Sequence, residues 1–309
     1  MIRYNGVVDV QALVYHLFRA LSRVACALPR RTALGIGAGF AALVYRIYRL
    51  TPYRDFLYGN LRAAFPEAPA PELHAIALCH LQMLTRAIAE VLRLPLLTRD
   101  NLSELVRFEG QEHLEAALAE GRGVLIATAH FGNWELLGAA LALAYRPLHV
   151  LVQRPSQDAF DRLFKEFRGL AGVHTWLNSG PASLRPALRA LSRNEMVGLL
   201  CDQHGESQEA IVDFFGHPVS APTGAFFFAQ RTGAAIVPVF AIRQPDDTHV
   251  LRFEPAIAPS GDVEADAQRL YDLYERMIRM HPDHWLWVHD RWAREGELRA
   301  RPKREEVPA

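Results

Sequence analysis

The 309-residue sequence predicts an α/β protein, a mixed and largely parallel sheet flanked by helices and entered through a helical N-terminal region. Three observations carry that prediction. From Gly123 onward, short apolar runs alternate with stretches of helical periodicity, the pattern of strands joined by helical crossovers. Before residue 120 the apolar residues recur almost only at helical spacing. The composition, 50% hydrophobic and 22% charged, excludes disordered, collagen-like and disulfide-scaffold classes and suits one large domain or two modest ones.

Val10, Leu13, Val14, Leu17, Leu21, Val24 and Leu28 lie within about 60° of one line at 100° per residue, which predicts a first helix ended by Pro29. Arg19 and Arg23 fall on its opposite side. A second helix is expected from Thr32, where residues 32–45 carry no charge between Arg31 and Arg46. As a helix this run reaches roughly 21 Å, short of the ~30 Å hydrocarbon core of a bilayer. It reads as an interfacial or marginally inserted anchor. The alternative is two amphipathic helices packed on the protein's own core. Gly35 and Gly39 form a small-xxx-small pair that would permit close helix contact. No cleavable signal-peptide pattern occupies residues 15–30.

Further along, residues 70–94 read as a helix stopped by Pro95, and 112–119 as another. Strands are expected at 124–127, 148–152, 196–201, 235–240 and 250–253. Helices are expected at 134–144, 158–170, 183–191, 224–231 and 264–280. The resulting organisation is a membrane-associating helical segment at 1–54, an α/β catalytic domain at 55–298 with a helical lead-in to 120, and a disordered tail at 299–309.

The net charge of zero hides an asymmetry. Residues 1–62 hold nine arginines against Asp9 and Asp55, a net of +7, and the remainder is −7. A basic end of this kind is expected to face something anionic. With overall neutrality, an anionic bilayer fits that end better than a nucleic acid. Cys26, Cys79 and Cys201 are odd in number, far apart and form no CxxC, which suits a reducing compartment.

The sharpest local feature is Thr128-Ala-His-Phe-Gly-Asn-Trp-Glu135. An apolar strand ends just before His130, Gly132-Asn133 makes a turn, and a helix opens at Trp134 with Asn133 as N-cap and Glu135 in its first turn. On a continuous helix His130 and Glu135 would stand about 140° apart, but a turn lets the imidazole fold back onto the carboxylate. A carboxylate on one ring nitrogen fixes the tautomer, and the other nitrogen can then take a proton from an alcohol. The spacing alone means little: about 1.4 such pairs arise by chance, and the chain has three, the others being His204/Glu209 in a polar loop and His249/Glu254 in an expected surface strand. Only the first has a strand, a turn and a capped helix around it. Between catalysis and structure, its residues alone leave both readings open.

His130-Phe-Gly-Asn-Trp-Glu135 resembles the signature of the bacterial lipid A biosynthesis acyltransferases, members of the glycerolipid acyltransferase superfamily with its H-x4-D/E motif. Asn60 to Glu67, Phe108 to His113, Arg154-Pro, Arg168, Leu199 to Gln203, Phe214-Phe-Gly216, Gly233 to Pro238 and Trp285 to Trp292 resemble further blocks of that family in order, across roughly residues 55–292. The resemblance implies transfer of a fatty acyl chain from acyl carrier protein to a hydroxyl of a lipid A precursor. Such transfer takes place at the cytoplasmic face of the bacterial inner membrane, with no metal or organic cofactor. In this reading His130 is the general base and Glu135 orients it. Arg168 is the first candidate for stabilising the oxyanion, and Arg154 for holding an acceptor phosphate. Gly132 and Asn133 let substrate approach the backbone, and Asp202 and Gln203 organise the site. Arg154 and Arg168 could equally be surface ion-pair partners. Phe214 and Phe215 fit the core or an acyl pocket, and Trp285, Trp287 and Trp292 fit the core. His281, His284 and His289 lack a convergent partner for a metal, and Gly35-x-Gly-x-Gly39 follows no strand, so it is no dinucleotide loop. The rival readings are the same chemistry on another lipid or glycolipid acceptor, a thioesterase that uses water, and a non-catalytic membrane scaffold.

Overall fold

A computed structural model describes residues 10–48, 50–51, 54–152, 158–177, 184–203 and 209–292. Two helices, α1 (Val10–Ala27) and α2 (Arg30–Tyr48), lead into α3 (Arg54–Ala64) and the long α4 (Ala70–Leu92). The α/β part follows as β1 (Val106–Glu109), α5 (Gln111–Ala119), β2 (Val124–Thr128), α6 (Trp134–Ala144), β3 (Leu148–Val152), α7 (Asp158–Leu170), β4 (Val173–Leu177), α8 (Leu184–Ser192) and β5 (Met196–Leu200). The hairpin of β6 (Glu209–Phe214) and β7 (His217–Pro222) precedes α9 (Gly224–Thr232), β8 (Ala235–Arg243), β9 (His249–Phe253) and α10 (Val263–Met280).

Seven strands form one sheet in the order β1-β9-β8-β2-β5-β3-β4. β8, β2, β5, β3 and β4 run parallel, whereas β9 pairs antiparallel with β8 and carries β1 parallel to itself. The mixed, largely parallel sheet expected from the alternation is therefore present. β2 sits near its centre with all five residues buried. Strand alternation sends Leu125 and Ala127 into a core shared with α8, α9 and α10, and Val124 and Ile126 into the opposite core with α5, α6 and α7. Two-sided burial explains why β2 reads as a continuous apolar run rather than an alternating one.

Helix α1 packs against this body with its polar side. Tyr15 donates to the Glu166 carboxylate at 2.9 Å, Arg19 pairs with the same carboxylate, and the Arg162 guanidinium lies 4.2 Å over the Tyr15 ring. Ser22 donates to the Leu92 carbonyl at 2.7 Å. The apolar stripe points the other way: Val10, Leu13, Leu17, Leu21 and Val24 are all exposed, as are Ile36, Phe40, Leu43 and Ile47 on α2. The stripe is not core, although α2 also buries Ala33, Leu34 and Ala41 against the protein. Among the described residues, α4 is the helix long and apolar enough to cross a bilayer, and half of its apolar stretch is buried inside the protein.

α2 meets α4 through small residues, though not the pair singled out from the sequence. Gly35 and Gly39 have open space where a Cβ would stand. It is Gly37, between the buried Ala33 and Ala41, that touches α4: a Cβ there would come within 2.9 Å of the Thr85 carbonyl oxygen. The three recur every four residues and so share one helix face. Gly37→Ala is accordingly expected to destabilise by about 1–3 kcal/mol through overpacking. Gly35→Ala should stabilise by up to ~1 kcal/mol, the ordinary gain from replacing a helical glycine. Denaturant melts of the two variants check the contrast, and equal effects would show that α2 is not seated on α4 through Gly37.

Candidate active site

β2 ends at Thr128 in the middle of the sheet, and the chain then turns through Ala129–Asn133 into α6. Gly132 takes a left-handed backbone, φ +59°. A Cβ at that position would lie 1.9 Å from the Ala241 carbonyl oxygen, so only glycine lets the turn pass β8. The neighbouring segment stitches the turn down: Gly132 N donates to the His284 carbonyl at 2.8 Å, and Leu286 N donates to the His130 carbonyl at 2.9 Å. Asn133 caps α6 as expected, its Oδ1 accepting from Leu136 N at 3.0 Å, while its Nδ2 donates to Glu90 at 2.9 Å. Both residues are committed to protein groups. The expectation that Gly132 and Asn133 serve substrate approach gives way to a structural role, since what approaches their backbone is β8 and the Glu90 side chain.

The turn delivers His130 to a buried carboxylate, that of Asp202 just beyond β5. His130 Nδ1 donates to Asp202 Oδ1 at 2.9 Å, and its backbone N donates to Oδ2 at 3.0 Å. Trp285 Nε1 donates to the same Oδ2 at 2.8 Å. Asp202 is wholly buried, and the His130 side chain keeps 18% exposure. Glu135, the partner expected from spacing, is bound elsewhere: Arg168 on α7 grips it with Nε at 2.8 Å and Nη2 at 2.6 Å. The reason is geometric, because Asn133 starts α6 before Glu135 and fixes that side chain on the helix face toward α7. Glu135 remains near enough to favour the imidazolium electrostatically.

Three ionisable groups are thus shifted. Burial alone would raise the Asp202 carboxyl, but the His130 charge and the hydrogen bonds from His130 and Trp285 bring it below the usual range. Burial alone would lower His130, and Asp202 first, then Glu135, push it above the ordinary 6.5. The bidentate Glu135 carboxylate overcomes burial and raises Arg168. In the neutral imidazole Nδ1 holds the proton for Asp202, which leaves Nε2 as the basic nitrogen.

Beside the imidazole an apolar cleft runs between the sheet and helices α6 and α7. Trp134, whose ring meets the His130 imidazole edge to face at 5.1 Å, lines it together with Glu135 and Arg168. Deeper in, Ile126, Leu137, Leu148, Val150, Val173 and Leu199 form the walls. Gly198 on β5 stands in register with Ile126 and leaves room where a side chain would fill the channel.

Of the remaining expected residues, Gln203 is half-buried beside Asp202, and Arg154 lies outside the described residues, as do His204 and the 299–309 tail. Phe214 and Phe215 belong to the core around Tyr271, Trp285 and Trp292, away from the cleft. Trp285 is core on one side and a hydrogen-bond donor to Asp202 on the other. His249 is not on a surface strand: it is fully buried and donates from Nε2 to Glu90 at 3.0 Å. Glu90 and Thr128 were missed. For Glu90 the available signal was a lone acid in the apolar run Ala87–Leu92.

The family described as "Bacterial lipid A biosynthesis acyltransferase" matches residues 8–294. The chain is 29% identical over 286 residues, 90% of its length and 92% of the relative's, to the phosphatidylinositol mannoside acyltransferase of Mycolicibacterium smegmatis. It is 29% identical to the protein of the same description from Mycobacterium tuberculosis, over 78% of this chain and 80% of that one. To the lipid A biosynthesis lauroyltransferase of Escherichia coli it is 23% identical, over 86% of each.

The Asp202 clamp has a direct spectroscopic consequence. The His130 imidazole should titrate above 6.5 in the intact protein, because the carboxylate stabilises its protonated form. In Asp202→Asn that stabilisation is gone and burial acts in the opposite direction, so the midpoint should fall. Nitrogen-15 NMR of the ring reads both; a parent midpoint at or below 6.5 would contradict the arrangement.

Proposed function

Since the chain belongs to the bacterial lipid A biosynthesis acyltransferase family, we propose that it moves a fatty acyl chain from an acyl carrier protein thioester to a hydroxyl of a phosphate-bearing glycolipid. The observation that carries this reading is a histidine whose Nδ1 is clamped by a buried aspartate and whose ring meets Trp134 at the wall of an apolar cleft. A lipid A precursor is the first acceptor to consider. The relatives named phosphatidylinositol mannoside acyltransferases, more similar in sequence than the E. coli lauroyltransferase, favour a mannosylated phosphatidylinositol as the second. Both present a hydroxyl on a sugar and an anionic phosphate near a bilayer.

In the proposed reaction Nε2 of His130 takes the proton of the acceptor hydroxyl as that oxygen bonds to the thioester carbonyl carbon. The carbonyl electron pair moves onto its oxygen, and the tetrahedral intermediate collapses by breaking the C–S bond. The leaving thiolate takes the proton back from Nε2, so that base and acid are the same ring. Asp202 holds the tautomer and stabilises the imidazolium. Glu135 and Arg168 act as a unit: their bidentate pair fixes the cleft wall beside the imidazole, and the guanidinium adds positive charge where the oxyanion develops. Arg154, close after β3 in sequence, remains the candidate for an acceptor phosphate. The acyl chain lies along the apolar walls of the cleft.

The outward apolar stripe of α1 and α2 supports docking on the cytoplasmic face of a bacterial inner membrane. Each stripe residue buried in acyl chains contributes on the order of 1.5–3 kcal/mol. The exposed Arg23, Arg31 and Arg46 flank the stripe, and each basic residue near an anionic surface adds about 1 kcal/mol. An acceptor that never leaves the bilayer is then met where it resides.

Two experiments follow. Purified protein is incubated with C10–C16 acyl carrier protein thioesters and the two acceptors, and products are read by mass spectrometry. Transfer is expected in the parent and reduced about 100- to 10,000-fold in His130→Ala. Undiminished transfer in that variant would sink the mechanism, and acyl release without acceptor consumption would mean a thioesterase. Separately, Leu13→Glu/Leu17→Glu/Phe40→Glu should abolish co-sedimentation with vesicles containing phosphatidylglycerol without changing the melting temperature, because all three side chains are exposed. Unchanged vesicle binding would rule out docking through this face.

A further inference from the structure

Thr128 is the last residue of β2, two positions before His130. It is 6% exposed, its Oγ1 is buried, and that hydroxyl has no hydrogen-bond partner. Its backbone carbonyl is well satisfied, accepting from Tyr274 Oη at 2.8 Å and from Cys201 N at 2.9 Å, so the backbone places the residue firmly. Only the side chain is left over. A buried polar group without a partner is costly and uncommon enough in folded proteins to need a reason.

Its position supplies one. Side chains alternate along β2, and Ile126 lines the cleft between the sheet, α6 and α7. Thr128 shares that face and lines the same cleft, beside Trp134 and Glu135. Beyond Ile126 the walls are aliphatic, so a bound chain lies there as hydrocarbon. Around Thr128 the cleft meets the His130 turn, which is where the polar end of an acyl group must sit. An unpaired hydroxyl at that point is placed to donate to the carbonyl of the chain.

We propose that Thr128 is a further catalytic residue, whose hydroxyl donates a hydrogen bond to the thioester carbonyl oxygen and to the oxyanion that forms from it. The inference rests on the acyl-transfer reading above and adds to it the place of the reacting carbon. In the attack step the carbonyl electron pair settles on oxygen, and the Thr128 O–H meets that charge. The hydrogen bond strengthens as the charge grows and weakens when the C–S bond breaks, so its effect falls on the rate more than on binding.

Thr128→Val removes the hydroxyl and keeps the shape, and Thr128→Ser keeps the hydroxyl and drops a methyl. With full-length protein and palmitoyl acyl carrier protein as donor, Thr128→Val should lose roughly 100-fold in kcat with KM for the thioester nearly constant. Thr128→Ser should stay within a few-fold of the parent. The melting temperature of Thr128→Val should be equal to or above the parent's, because an unpaired buried hydroxyl is replaced by a methyl. Full activity in Thr128→Val, or an equal loss in Thr128→Ser, overturns the assignment, as does a fall in KM affinity with kcat untouched. His130→Ala in the same assay separates the two claims. If it is inactive while Thr128→Val is unimpaired, only the Thr128 assignment fails; if it is fully active, the acyl-transfer mechanism itself fails.

Discussion

The architecture around the turn that carries His130 depends on one buried carboxylate, that of Glu90. It projects from α4 and receives Arg243 of β8 through Nη2 at 2.5 Å and Nη1 at 3.1 Å, His249 of β9 at 3.0 Å, Arg30 of α2 at 2.8 Å, and Asn133 at the start of α6 at 2.9 Å. Burial alone would raise its pKa, yet His249 and Arg243 bring it down to about 2, so it is ionised at any working pH. An uncompensated charge here would cost several kcal/mol, which makes the four donors mutually dependent. The helices that reach the surface, the sheet and the turn carrying His130 therefore meet at a single charge. Because Asn133 also caps α6, the same contact sets where Trp134 and Glu135 stand relative to the imidazole.

The inverted N-terminal helices follow a related logic. Leu13, Leu17 and Leu21 are exposed, whereas Ser22 is buried and Tyr15 and Arg19 are partly covered by the body of the protein. The zero net charge conceals the same division. The polar side of α1 is taken up by Glu166 on α7, two residues before Arg168, and the polar end of α2 by Glu90. The N-terminal helices are thus joined to the body through ionic and hydrogen-bonded contacts of defined geometry as well as through the small-residue packing of α2 on α4.

How much of this was legible in the sequence depends on the range of the interaction. The strand at 148–152 and the helices at 134–144 and 158–170 were readable to the residue, because periodicity and caps are local. The strands β1 and β4 were not: Val106-Arg-Phe-Glu109 and Val173-His-Thr-Trp-Leu177 are short, edge-placed and half exposed, with little apolar contrast. His130 and the Asn133 cap were legible for the same local reason. The carboxylate on Nδ1 was not, since Asp202 lies 72 residues away in sequence and comes to His130 only through the pairing of β2 with β5. Glu135 stood nearer in sequence, and sequence proximity proved the weaker guide. His249 looked like surface because its partner, Glu90, is 159 residues distant.

The two carboxylates near His130 illustrate how environment divides labour. Asp202 is fully buried and accepts three hydrogen bonds, two from His130 and one from the indole of Trp285. Its charge is satisfied and immobile, which suits a group that must stabilise an imidazolium without taking its proton. Glu135 is matched by one guanidinium in a planar, two-bond fork at the edge of the cleft. That pair brings a negative and a positive charge to the same place, so it can favour the imidazolium through one partner and an oxyanion through the other. Moving either carboxylate into the other's role would fail on geometry: among the described residues Asp202 pairs with His130 and with no guanidinium, and Glu135 is held by Arg168. The H-x4-E spacing therefore encodes the charge balance of the cleft, and the clamp on His130 Nδ1 comes from the sheet.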